Sequence, residues 1–157
     1  MLRTRTVLCM SNTLPCVLLV DDDPVLLQGL CDMLTYRLRP AVVVVHASSD
    51  DAAAKVRDGQ YDVVVCDFRM PRQDGLEVIR QIKAANPEQP VILMTGCIEE
   101  TIDGEARQCG ANAVLRKPLD RDEVVRVIRS LIELSRPRAS QSRHTDAGCF
   151  PSEQDLA

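Results

Sequence analysis

The chain has 157 residues, 45% of them hydrophobic, which suits one domain with a packed core plus tails. Its formal net charge is −4; Arg3 and Arg5 give residues 1–13 a charge of +2, three Arg and three acids cancel over residues 136–157, and the middle segment therefore carries −6. An acidic segment with no Trp, two Phe and two Tyr argues against phosphate-backbone attraction or base stacking, so no direct nucleic-acid binding by the domain is expected.

In chain order, Arg3 and Arg5 could open a signal peptide, but Ser11, Asn12 and Thr13 interrupt the apolar stretch and no small-residue cleavage site follows. Residues 1–13 are expected to be a flexible extension, with Met10 an alternative start. The run CVLLV predicts a strand over 16–20. Asp23-Pro24 then reads as an N-cap followed by a proline in the first helical position, opening a helix over 24–38 with Leu26, Leu27, Leu30, Met33, Leu34 and Leu38 at helical spacing. Four valines predict a strand over 42–46, followed by a helix over 49–58 that stops at Gly59. A strand over 62–66, a loop through Asp74-Gly75 and a helix over 76–85 stopped by Asn86-Pro87 come next. Strand 91–94, helix 99–109 with Gly104 inside it, strand 113–115 and helix 120–135 complete the pattern.

These strands are continuous apolar runs, the pattern of a parallel sheet covered on both faces. Five strand–helix alternations predict an α/β three-layer sandwich with right-handed crossovers. The expected domain is 14–135, and residues 136–157, rich in Ser, Pro, Arg and Gln, are expected to be a disordered tail. No run approaches the ~20 apolar residues of a membrane span, so no membrane contact is expected. Seven cysteines, an odd number without C-x-x-C, point to a reducing cytoplasm.

The chemistry sits at strand ends. Asp21, Asp22 and Asp23 follow the first run, Asp67 the third, Thr95 the fourth, and Lys117 comes just after the fifth. In an open parallel sheet those ends converge on one crevice. A carboxylate there can attack a phosphoryl donor and hold the group as an acyl phosphate, provided charge is neutralised. Clustered carboxylates repel and raise one another's pKa, and Mg²⁺ removes that penalty. Asp21, Asp22, Asp67 and the backbone carbonyl of Arg69 could hold it. Lys117 offers a point charge to Asp67, and Thr95 a hydroxyl to the phosphoryl group. Asp23 reads as a cap, Asp74 as a turn residue, and His46 and His144 as incidental. Cys66 reads as core, Cys97 as either a neighbour of the site or incidental, and Arg69 most simply as a solvated loop residue, with steering of a donor as the alternative.

The strings VLLVDDDP, VVVCDFRMPRQDG, VILMTG and GANAVLRKP, in this order and spacing, resemble the receiver domain of two-component response regulators. The resemblance covers roughly residues 14–134. It implies a flavodoxin-like sheet of order 2-1-3-4-5. It also implies phosphotransfer to Asp67 from a sensor histidine kinase or phosphotransfer protein, Mg²⁺ dependence and hydrolysis of the acyl phosphate, with no other enzymatic activity. By that match Asp21 and Asp22 are the acidic pair, Thr95 the switch hydroxyl and Lys117 the site lysine, and the peptide before Pro118 is cis. A weak homodimer through the last two helices and last strand is a family-level option. One position departs. Three residues before the lysine the family usually carries Phe or Tyr, and this chain has Val114, which cannot swing inward behind Thr95. Its output would be weaker, or carried by backbone shifts alone.

Two alternatives remain at this stage. In a HAD-type phosphatase Asp21 would be the nucleophile and Asp23 the acid/base, with Thr95 and Lys117 as further motifs. That reading leaves Asp67 without a role, and Asp120, Asp122 and Glu123 open a helix where metal ligands are needed. The second concerns output. A stand-alone receiver acting through protein contacts is expected, since about 22 residues beyond the last helix are too few for another core. The receiver fragment of a larger transcriptional regulator is the alternative.

Overall fold

The computed structural model describes residues 14–136. The expected N-terminal extension, Met10, His144 and the tail beyond Arg136 lie outside the described residues. Ten elements alternate along the chain: β1 Cys16–Val20, α1 Pro24–Arg37, β2 Val42–His46, α2 Ala52–Asp58, β3 Val63–Asp67, α3 Gly75–Ala85, β4 Val91–Thr95, α4 Glu100–Cys109, β5 Ala113–Arg116 and α5 Arg121–Ser135. The five strands form one sheet in the order β2-β1-β3-β4-β5, every pair parallel. This is the flavodoxin-like three-layer sandwich that the sequence pattern and the resemblance imply.

Alternate residues of each strand feed two cores. Val17, Leu19, Val63, Val65, Ile92 and Met94 pack with Leu27, Leu30 and Leu34 of α1 and Val124 and Ile128 of α5. Leu18, Val20, Val64, Cys66, Val91 and Leu93 face the opposite layer, against Val56 of α2, Ile79 and Ile82 of α3, and Ile102 of α4. Burial on both faces explains why β1, β3 and β4 read as unbroken apolar runs. β2 has a similar composition but lies at the sheet edge, so Val42 and Val45 remain 45% and 43% exposed.

Several element ends differ from the sequence reading, for identifiable reasons. β3 and β4 run one residue further and include Asp67 and Thr95, because Asp67 pairs with Met94 and Thr95 with Arg116 in the ladders. Residue 62 drops out of β3; the Asp62 carboxylate instead accepts from the Cys16 N–H at 2.7 Å. α2 starts at Ala52 rather than residue 49, since buried Ser49 donates its hydroxyl to the Pro71 carbonyl at 2.8 Å. Asp23 caps α1 as expected, accepting from the N–H groups of Val25 and Leu26. Asp74 does more than turn the chain: its side chain caps α3 through the Glu77 N–H at 2.9 Å. Arg136, assigned from sequence to the tail, caps the end of α5 and grips Asp62 with Nε at 2.6 Å and Nη2 at 2.9 Å.

The turn from β3 into α3 brings the helix backbone directly onto the end of the strand. Gly75 donates its N–H to the Phe68 carbonyl at 2.8 Å, and a Cβ at this position would run into the Asp67 carbonyl oxygen and crowd Leu93 Cδ1 at 2.9 Å. Gly104, inside α4, has nothing within 4 Å of the same hypothetical atom. Gly75→Ala should therefore destabilise the domain by about 1–3 kcal/mol through overpacking against backbone. Gly104→Ala should stabilise it by roughly 0.5–1 kcal/mol through helix propensity. Urea denaturation of the two variants checks the opposite signs.

Candidate functional site

The carboxyl ends of β1, β3, β4 and β5 lie side by side. Between β1 and β3 the order of connection reverses, because the chain first crosses to β2 and then returns past β1. Such a switch point opens a crevice at the strand ends. Asp21 enters it from the residue after β1, Asp67 from the last residue of β3, Thr95 from the last residue of β4, and Lys117 from the residue after β5. Asp22 lies exposed at the rim. The sequence-designated acids do converge: Asp21, Asp22 and Asp67 offer carboxylate oxygens that all lie within 4.8 Å of one another.

Lys117 Nζ lies 2.6 Å from Asp67 Oδ1 and 3.6 Å from Asp21 Oδ2. The first is a charge-assisted hydrogen bond; the second is attraction without a bond. Asp21 Oδ1 accepts from the Asp23 N–H at 2.9 Å, whereas its buried Oδ2 has no hydrogen-bond partner. Burial pushes the Asp21 carboxyl above its ordinary range, and the charges of Asp67 and Asp22 push the same way; the Asp23 N–H and Lys117 oppose them. For Lys117, burial alone would lower the ammonium, but the hydrogen bond to Asp67 and the charges of Asp67 and Asp21 leave it raised. The peptide between Lys117 and Pro118 is cis.

Thr95 is fully buried, its Oγ1 accepting from the Cys97 N–H at 3.0 Å. Arg69 is exposed on the β3–α3 loop and donates from Nη2 to Cys97 Sγ at 3.2 Å, linking that loop to the β4–α4 loop. Cys66 faces the core beneath the site; its thiol is fully buried and donates to the Asp67 carbonyl at 3.4 Å, and burial pushes its pKa far up. His46 pairs with Asp51 at 2.7 Å rather than with the acid cluster. Val114 is half-buried and packs against the layer of α2, α3 and α4. Two neighbours escaped the sequence reading: Gly75, which abuts Asp67, and Arg116, which reaches from β5 over the β4–α4 loop. The Asp-Gly pair before α3 and a basic residue ending an apolar strand were the available signals.

A buried carboxylate oxygen left without a donor, inside a triad of acids matched by one ammonium, fits a hard cation with oxygen ligands. The model of the response regulator receiver domain family matches residues 17–129, and the chain belongs to that family. It is a receiver domain of two-component signalling. A curated relative, the transcriptional regulatory protein ZraR of Salmonella typhimurium, is 34% identical over 149 residues, which cover 89% of this chain and 33% of the relative. The C4-dicarboxylate transport transcriptional regulatory protein DctD of Pseudomonas aeruginosa is 37% identical over 121 residues, 76% of this chain and 26% of that protein. The chain thus spans between a quarter and a third of the length of these relatives. Among solved structures, the receiver domain of a Pseudomonas aeruginosa sensor histidine kinase superposes with a TM-score of 0.69 at 28% identity, covering 76% of this chain and 98% of that one; its active-site cleft coordinates a magnesium ion. A CheY-like receiver domain from Methanospirillum hungatei shares the fold at a TM-score of 0.73, with 21% identity over 78% of this chain and 97% of its own. The phosphatase reading, with Asp21 as nucleophile, falls with this family assignment.

The electrostatics predict opposite effects for two substitutions in metal-free protein. The raised Asp21 value means that ionising it costs stability: the benefit of the neutral form is present below the ordinary carboxylate range and is lost as pH rises through the raised value. Asp21→Asn should therefore raise the melting temperature at pH 7–8. Lys117→Met removes the partner of buried Asp67 and should cost about 1–3 kcal/mol. Thermal and urea unfolding in the presence of a chelator read both.

Proposed function

We propose that this receiver accepts a phosphoryl group on Asp67 and passes the signal on through protein contacts. Receiver domains interact with histidine kinases or phosphotransfer proteins, and a phosphohistidine on such a partner is the donor this site suits. An Asp67 carboxylate oxygen attacks phosphorus, a new P–O bond forms, the P–N bond to the imidazole breaks, and the imidazole nitrogen leaves with its electron pair. The single observation carrying this reading is the Asp67–Lys117 contact at 2.6 Å inside a buried acidic cluster. The ammonium lies closer to Asp67 than to Asp21, and a single point charge leaves the other oxygen of Asp67 for attack.

The residues have separate tasks in this reading. Asp21, Asp22 and Asp67, with the Arg69 backbone carbonyl, would hold Mg²⁺. When bound, the ion supplies charge neutralisation for the acids and for the incoming phosphoryl oxygens. Lys117 moves from a pure carboxylate partner to one shared between Asp67 and a phosphoryl oxygen. Thr95 has a free hydroxyl proton to donate while its oxygen still accepts from Cys97. Residues 14–135 are the domain that, in this reading, carries these parts.

Its relatives are named as transcriptional regulators about three times its length, which favours a second reading of the output. There the receiver would serve a longer regulator rather than act alone, and a reading frame extending beyond residue 157 would decide for it.

Incubation with acetyl phosphate and Mg²⁺, followed by intact mass measurement, should add one phosphoryl group to the native chain. Asp67→Asn should abolish the adduct. Asp21→Asn should label weakly and recover as Mg²⁺ is raised. Undiminished labelling of Asp67→Asn would reject Asp67 as the acceptor.

A further inference from the structure

Arg116 ends β5 directly opposite Thr95 in the β4–β5 ladder, and the Thr95 carbonyl accepts from the Lys117 N–H at 2.8 Å. The Thr95 backbone is therefore fixed by the sheet. The segment after it is not part of any element: Gly96, Ile98 and Glu99 are exposed, Ile98 at 92%. Within that segment Cys97 is held at both ends of its backbone. Its N–H donates to Thr95 Oγ1 at 3.0 Å, and its carbonyl accepts from Arg116 Nη1. The second arm of the same guanidinium, Nη2, donates to Asp103 Oδ1 in the first turn of α4 at 2.8 Å. A continuous series of hydrogen bonds thus runs from the buried hydroxyl at the site, through one loop residue and one arginine, into a helix.

The chemistry of each link matters. A threonine hydroxyl can donate one hydrogen bond while accepting others, so Thr95 can turn toward a phosphoryl oxygen without releasing the Cys97 N–H. The Cys97 peptide then moves with it. The guanidinium is a rigid planar fork bound to two acceptors on different elements, so displacement of one acceptor is felt by the other. Val114, on the same side of β5, offers no large ring to fill that role.

We infer that Arg116 is a positioning residue that couples the Thr95 hydroxyl to α4 through the Cys97 carbonyl and Asp103. The inference rests on the phosphoacceptor reading of the site. It gives this receiver an output route that needs no aromatic switch, with the Arg116 fork as the element whose arrangement both ends bias.

Backbone-amide NMR of the full 157-residue chain with Mg²⁺, before and after addition of beryllofluoride as a phosphoryl mimic, tests it. In the native chain, amides of residues 67–69, 95–97 and 100–109 should all shift. In Arg116→Lys, which keeps the charge but loses the fork, and in Asp103→Ala, which removes the acceptor, residues 67–69 should still shift fully. The shifts over 100–109 should fall by at least about half in both variants, as expected for one lost coupling route. Both side chains are about 40% exposed, so folding should survive replacement, and circular dichroism checks that. Full α4 shifts in both variants, or a native chain in which 95–97 respond and 100–109 do not, would overturn the coupling alone. No response anywhere in the native chain would overturn the phosphoacceptor reading and this inference with it.

Discussion

Everything at the functional end of this domain depends on three carboxylates gathered around one ammonium. Asp21 and Asp67 are buried, Asp22 stands at the rim, and Lys117 is the cation in contact with the two buried acids. Taking a carboxylate out of water costs several kcal/mol even after relaxation, and a single partner offsets only part of that. The burial of Asp21 Oδ2 without a donor is the plainest sign that the cluster is not arranged for its own stability. The two apolar cores on either side of the sheet must hold it in place. Such a concentration of uncompensated charge is what a divalent cation and a phosphoryl group would relieve.

The sheet topology is what makes the concentration possible. Asp21, Asp67, Thr95 and Lys117 are spread over nearly a hundred residues of chain, yet each occupies or follows the last residue of a parallel strand. Parallel register brings those ends to one edge, and the reversal between β1 and β3 opens a crevice there. Asp67 is held from several sides: by the ladder to Met94, by the Cys66 thiol on its carbonyl, and by the backbone of Gly75. If Asp67 is the proposed phosphoryl acceptor, such restraint helps it, since orientation supplies much of a nucleophile's advantage.

Much of this was legible in the sequence, because the fold writes itself in period and punctuation. Unbroken valine and leucine runs marked the strands, Asp23-Pro24 marked the start of α1, and the acids, threonine and lysine marked the strand ends. The misreadings have a common cause. Ser49 is drawn off to the Pro71 carbonyl, Asp62 to the Cys16 N–H and Arg136 to Asp62, each a contact between residues far apart in the chain. A side chain diverted to a distant partner leaves no periodic trace. Arg116 is the most consequential case. In sequence it is one basic residue beside the site lysine, and only the fold places its two arms on Cys97 and Asp103. Val42 and Val45 teach the converse: identical composition in an edge strand and a central one gives different burial.

The central claim is that the acidic cluster is a cation site built around Asp67 and Lys117. Isothermal titration of the metal-free chain with MgCl₂, beside Asp21→Asn, tests it most directly. The account predicts one Mg²⁺ per native chain and a large loss of affinity in the variant. It also predicts a native melting temperature that climbs with Mg²⁺, the unfolding free energy rising by about 2.7 kcal/mol at a hundredfold excess over the dissociation constant. Equal Mg²⁺ affinity in native and variant chains, or no Mg²⁺ response in either, would contradict it.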